Sequence, residues 1–261
     1  MTSNTNIIRK VNKKAHRLLF MFAVISFNTV FTQSSTSHNS ISAAKNSNLE
    51  LPNIQVIPIT DSNTNRKYEL YIKVPEEYSD STKTKYPVLY FTDALWHIEI
   101  LSGSTEYLLD NLILVGISWQ KGENPGISRY RDFTLLKNIN PKYQSGDAEN
   151  HLKFIQNDVF KYVEENYRTQ PENRSYFGYS LGGTFGTYIL LTQPKTFNNY
   201  ILGSPETLLD DSFIHQHYSS SNDILKYKNA NVFISTGELE RSDLMEQSKG
   251  IRTMLKSYDN L

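Results

Sequence analysis

A serine between closely spaced glycines limits what this chain can become. Gly178-Tyr179-Ser180-Leu181-Gly182-Gly183 stands directly after the apolar run NRSYFGYS (173–180) and directly before a helical pattern running from about Leu181 to Thr192. A G-x-S-x-G in that context predicts a turn from strand to helix so tight that side chains two positions either side of Ser180 would collide. Such a turn holds the Ser180 hydroxyl proud of a sheet, at the N-terminus of the following helix.

The rest of the chain supplies a sheet for that turn. In RKYELYIKV (66–74), Tyr68, Leu70 and Ile72 alternate with Lys67, Glu69 and Lys73, the period of a half-buried antiparallel strand. The runs PVLYFTD (87–93), NLILVGIS (111–118), NYILGS (199–204) and NVFIST (231–236) join 173–180 as short, fully buried strands. In the segment 148–167, Leu152, Ile155, Val159 and Val163 recur at helical spacing, with Asp147 available as N-cap. The helix after Ser180 stops before Pro194, and a last helix is expected over about 242–258. Alternating strands and helices predict an α/β chain with a mostly parallel, doubly wound sheet, helices on both faces and a site at the carboxyl ends of the strands.

Composition excludes several classes. The 261 residues contain no cysteine, which removes disulfide scaffolds, cysteine-ligated zinc fingers and thiol enzymes, and 12% aromatic residues can build a core. Residues 1–32 hold five basic residues and no acidic one, followed within them by the apolar run 18–31. That run is shorter than a membrane span needs and reads as a signal peptide, with 33–50 as a Ser/Asn-rich spacer and 51–261 as the folded domain. Taking those five from 27 basic residues leaves 22 against 27 acidic, a net charge of −5 with no basic stripe, so nucleic acid is not an expected partner. A secreted or periplasmic location without a stable membrane span is expected.

A serine needs a base, an orienting acid and a hole for the developing oxyanion. Gly237-Glu238-Leu239-Glu240, directly after the strand run NVFIST, offers two carboxylates; Glu240 is the first choice for the acid and Glu238 the reserve. The amide of Leu181 is one expected oxyanion donor, with a second from the loop after YFTD, at Leu95 or, in reserve, Ala94. Trp96 and Trp119, just past the ends of buried strands, are candidate walls of a substrate pocket or rim packing. None of the six histidines follows Glu240. His97 reads as a packing position, His151 as a surface residue in the first turn of a helix, and His215-x-His217 near Asp210 and Asp211 as a polar loop rather than a metal site.

Taken together, PVLYFTDALWH, ILVGISW, RYRDFTL (129–135), the helix from Asp147, FGYSLGGTFGTYILL, FNNYILGSPE and FISTGELE resemble the Putative esterase family of α/β hydrolases. That family includes esterase D-like enzymes, trilactone siderophore esterases, feruloyl and acetyl xylan esterases and mycolyltransferases, and the resemblance covers about 51–261. It implies an α/β-hydrolase fold, Ser180 as nucleophile, Glu240 as acid, and Leu181 and Leu95 as oxyanion amides. It also implies that Arg131 and Asp132 lie near the site, in a loop after ILVGIS, where Arg131 would bind substrate. Ala94 departs from the glycine usual after the aspartate. The family's final strand, helix and catalytic histidine are expected beyond Leu261, so the chain is read as C-terminally truncated and itself weakly active or inactive. The expected function is a secreted serine hydrolase acting on a small-molecule or acylated-sugar ester through an acyl-enzyme, with no cofactor and no metal. Acyl transfer on the same scaffold, or ligand binding without catalysis, are the alternatives.

Overall fold

The computed structural model describes residues 53–79, 83–109, 111–135, 144–205, 227 and 229–256. Seven strands form one sheet: β1 (Ile54–Thr60), β2 (Lys67–Lys73), β3 (Tyr86–Phe91), β4 (Ile113–Ile117), β5 (Thr169–Tyr179), β6 (Asn199–Gly203) and β7 (Asn231–Ser235). Their order is β1-β2-β4-β3-β5-β6-β7. β2 runs antiparallel to both β1 and β4, and every later pairing is parallel. The helices are α1 (Ala94–Leu108), α2 (Pro125–Phe133), α3 (Ala148–Phe154), α4 (Phe160–Asn166), α5 (Leu181–Thr192) and α6 (Ser242–Lys256), with a π-helical turn at Ile155–Val159 joining α3 to α4.

The pleat divides each central strand between two cores. In β3, Val88 and Tyr90 enter the larger cluster with α3, α4 and α5, while Leu89 and Phe91 join Ala94 and Ile98 of α1 on the other face. The alternation expected in β2 is present, with Tyr68, Leu70 and Ile72 all buried. So is the stripe Leu152, Ile155, Val159 and Val163, which continues unbroken through the π turn. β5 ends at Tyr179 and α5 begins at Leu181, so a single residue separates strand from helix.

Several expectations are corrected. β1 was not foreseen; it is an edge strand with Pro58 in it, mostly half-buried or exposed, and so lacks a buried apolar signature. RYRDFTL is no loop: residues 125–133 are helix α2, started by Pro125 and capped by Asn124, whose side chain accepts from the amides of Gly126 at 2.9 Å and Ile127 at 3.3 Å. Asp147 stands at the N-cap position but makes no cap bond. Its carboxylate accepts from Arg66 and Asn150 instead.

His151 is buried, not on the surface. Its ring lies among Tyr68, Phe133, Phe154 and Phe185, with centroids 5.4–5.6 Å away. Nδ1 is 4.0 Å from Asp132 Oδ2. Asp132 is the hub of this layer, accepting from Arg131 Nε at 2.7 Å and NH2 at 3.0 Å, Tyr68 OH at 3.0 Å and Ser128 Oγ at 3.1 Å. The cluster joins β2, α2 and α3 across the larger core. Removing one partner of a buried ion pair costs far more than the pair contributes, because the other charge stays buried. Asp132→Ala is therefore expected to lower stability by about 3–5 kcal/mol in urea unfolding, with Arg131 left uncompensated.

Burial, against the opposing pull of Asp132, holds the His151 imidazole below its ordinary value of 6.5. The unfolded chain takes up this proton first as pH falls, so the stability contributed by the neutral ring is complete above pH 6.5 and declines on acidification. His151→Phe should flatten the dependence of unfolding free energy on pH between about 7 and 5.

Candidate active site

Ser180 occupies the junction of β5 and α5 with φ 54° and ψ −120°, a backbone region that non-glycine residues rarely enter. Two clearances permit it. A Cβ on Gly178 would overlap the carbonyl oxygen of Gly182, and a Cβ on Gly182 would overlap Thr92 Oγ1. The turn is also tied down by hydrogen bonds: the Ser180 amide donates to Gly203 O at 2.9 Å, and Tyr176 OH donates to Gly182 O at 2.7 Å. Burial pushes the Tyr176 phenol well above the ordinary tyrosine range, so it stays a donor.

The ends of the next two strands continue the chain of contacts. Ser204, at the end of β6 with φ 41°, donates its amide to Ser235 O at 2.7 Å and its hydroxyl to Glu240 Oε1. The Gly237 amide also donates to Glu240 Oε1, at 3.3 Å. Glu240 Oε2 is buried and has no hydrogen-bond partner among the described residues. Glu238 is exposed, so of the two acidic candidates only Glu240 turns its carboxylate inward beside the strand that neighbours Ser180.

On the other side of the turn lie the first residues of α1. Ala94 is buried, while Leu95 and Trp96 are half exposed. Leu181 opens α5 and Leu95 is the second residue of α1, so both lie in a helix first turn, where amides have no intrahelical partner. The Trp96 and Trp119 rings meet edge to face at 4.8 Å. The Arg129 guanidinium lies 4.9 Å from the Trp96 ring centre. Trp119 Nε1 donates to Asp93 Oδ1, so this indole is part of the scaffold as well as of the rim.

Arg131 is not a surface of this site. It is buried and engaged with Asp132, and the arginine that reaches the turn is Arg129, which forks onto Asp93. In a helix, residues two apart point to nearly opposite sides, so once 125–133 is helical Arg129 and Arg131 must separate. Reading the segment as a loop hid this. Ser204 carried no sequence signal beyond its place after a buried strand. The described histidines are both committed to packing: His151 as above, and His97 edge-on to Phe177 at 5.2 Å, where burial holds its imidazole below the ordinary value. His215 and His217 lie outside the described residues. Among the described residues no group of three acidic or histidine side chains could hold a metal ion, and no helix is long and apolar enough to cross a membrane. A groove of about 850 Å³ lies away from Ser180, lined by Phe160, Glu164, Arg174 and Gln193–Thr196.

The two glycine clearances make a sharp prediction. Gly178→Ala must displace the α5 backbone, because its Cβ meets a carbonyl rather than a flexible side chain. A loss of about 3 kcal/mol or more in chemical unfolding is expected, a magnitude reserved for overpacking and backbone conflict. Tyr179→Ala, on the exposed neighbour, should cost less than about 1 kcal/mol.

The chain matches known proteins over most of its length. The profile of the Putative esterase family matches residues 62–253. Ferri-bacillibactin esterase BesA of Bacillus subtilis (strain 168) is 28% identical, with 73% of this chain and 72% of that protein covered. Among solved structures, the BES protein from Bacillus cereus superposes with a TM-score of 0.69 at 22% identity, covering 82% of this chain and 87% of that one. Siderophore hydrolase EstB from Aspergillus nidulans gives 0.61 at 19% identity, covering 81% of each chain. The chain thus has the α/β-hydrolase fold and belongs to the Putative esterase family.

Proposed function

We propose that this protein is a serine-dependent carboxylic ester hydrolase acting on esters of small iron-chelating molecules. The observation that carries the reading is the strained Ser180 turn, linked through Gly203 and Ser204 to the inward carboxylate of Glu240. In this reaction Ser180 Oγ attacks the ester carbonyl carbon and gives its proton to a base. The carbonyl oxygen, now an oxyanion, is held by the amides of Leu181 and Leu95. Collapse expels the alcohol with that proton and leaves an acyl-Ser180 ester, which water opens by the same two steps to release the acid. Glu240 orients an imidazole base through Oε2, the acceptor that no described residue uses. None of these steps calls for a cofactor.

Support for the substrate class comes from the ferri-bacillibactin esterase similar to this chain, and support for a pocket wall from the exposed Trp96 beside the turn. The basic cluster and apolar run of residues 1–32 support export. N-terminal sequencing of protein recovered outside the cytoplasm should begin after residue 32; a start at Met1 would refute the signal peptide.

Neither described histidine is placed to act as the base, and turnover of an iron-loaded siderophore ester is expected to rise with added imidazole. Loss of the base from a Ser-His-acid unit costs on the order of 10⁶ in turnover, because the members act together. Ser180→Ala should abolish both the basal and the imidazole-stimulated rate, and Glu240→Gln should abolish the stimulation. An imidazole-stimulated rate that survives Ser180→Ala would overturn the assignment. Tight siderophore binding without turnover under any condition would favour a ligand-binding protein.

A further inference from the structure

Asp93 stands at the junction of β3 and α1, immediately before Ala94 and Leu95, with a left-handed backbone of φ 56° and ψ 45°. An aspartate in front of a helix ordinarily folds its carboxylate onto the amides of the first turn. Asp93 makes no such bond to α1. Its buried carboxylate is filled from elsewhere: Arg129 Nε donates to Oδ1 at 3.0 Å, Arg129 NH2 to Oδ2 at 2.9 Å, and Trp119 Nε1 to Oδ1 at 2.6 Å. Only the Asp93 carbonyl serves α1, accepting from the Trp96 amide at 2.9 Å. The carboxylate also packs on the nucleophile turn, since Oδ2 is 3.5 Å from where a Cβ on Gly182 would sit.

A buried ion pair is a weak source of net stability, because desolvation offsets most of the attraction. A planar fork, however, fixes the orientation of what it grips. We propose that Arg129 is a positioning residue of the reaction centre: its fork on Asp93 draws that carboxylate off the helix, maintains the left-handed turn, and so keeps the first-turn amides of Ala94 and Leu95 available to the oxyanion. This rests on the reading of Ser180 as nucleophile. Without the fork, the Asp93 carboxylate can swing onto the first turn and compete with the oxyanion for those donors, placing a negative charge where one is meant to develop.

The test compares the unaltered chain with Arg129→Ala, Arg129→Lys and Trp119→Phe. The readouts are imidazole-supplemented hydrolysis of p-nitrophenyl acetate, the rate of phosphonylation by a fluorophosphonate, and hydrogen exchange of the 93–97 amides. Removing one oxyanion donor typically costs 10²–10³ in turnover. Arg129→Ala should therefore lower kcat and phosphonylation by about 30- to 100-fold with KM for this small ester held within about threefold, and slow exchange of the first-turn amides at 94–97 about tenfold as the freed carboxylate caps them. Guanidinium ion should restore at least about fivefold of the lost rate, Arg129→Lys should fall between because an ammonium cannot fork, and Trp119→Phe, which removes one donor, should lose about three- to tenfold. Retention of both rates within twofold, a raised KM with kcat preserved, or failure of guanidinium to restore a folded Arg129→Ala variant would each overturn the proposal. If Arg129→Ala does not fold, Trp119→Phe and Arg129→Lys carry the same comparison. If the unaltered chain is inert to both reagents, the serine reading falls instead, and amide exchange alone decides the clamp: slower exchange of the first-turn amides in Arg129→Ala supports it, and unchanged or faster exchange overturns it.

Discussion

The backbone of Ser180 is the constraint around which the described structure is arranged. A residue held at φ 54° and ψ −120° costs about 1–3 kcal/mol and persists only where its surroundings over-determine it. Here they do. Glycines at 178 and 182 remove the two side chains that would collide, Tyr176 reaches from within β5 to the carbonyl of Gly182, and the end of β6 receives the Ser180 amide. The parallel register of β3, β5 and β6 brings these groups to one edge of the sheet. The same edge carries Asp93 from β3 and Ser204 from β6, so one strained turn collects the ends of three strands and, through Ser204, the Glu240 loop after β7.

Helix α2 supports this edge from two sides. Arg129 faces the turn through Asp93, while Arg131 and Asp132 face the other way into the larger core, where they meet Tyr68 and, at 4.0 Å, His151. Phe133 of the same helix stacks on Phe185 of α5 at 5.5 Å. Helix α5, which follows Ser180, is therefore gripped by α2 through an aromatic stack, while the turn at its head is gripped through an ion pair. Two arginines spaced by one residue do unlike work because the helix separates their faces by about 200°.

Much of this was legible in the chain itself. Apolar runs located β3, β4, β5, β6 and β7, and the glycine spacing around Ser180 foretold the steric reason for the turn, which the clearances at Gly178 and Gly182 bear out. What escaped were elements whose local signals are mixed. β1 has an edge strand's weak alternation and an internal proline, and α2 begins with Asn124-Pro125-Gly126, which reads as a loop although Asn and Pro also make a cap and a first helical residue. Missing α2 sent Arg131 to the site and left Arg129 unnoticed. His151 was misplaced because one polar ring at the start of an amphipathic helix looks exposed until the aromatic residues of three other elements close over it. Ser204 and Asp93 depend on contacts between strands distant in sequence, which periodicity does not report.

The central claim is that the Ser180 hydroxyl, held by this turn, is a nucleophile. Fluorophosphonate labelling followed by peptide mass spectrometry tests it most directly, because it reads the hydroxyl itself and not the fate of any one substrate. The account predicts a single adduct on the peptide containing Ser180, faster in the presence of imidazole and absent after denaturation. An adduct on another residue, or labelling of Ser180 no faster in the folded chain than in the denatured one, would contradict it.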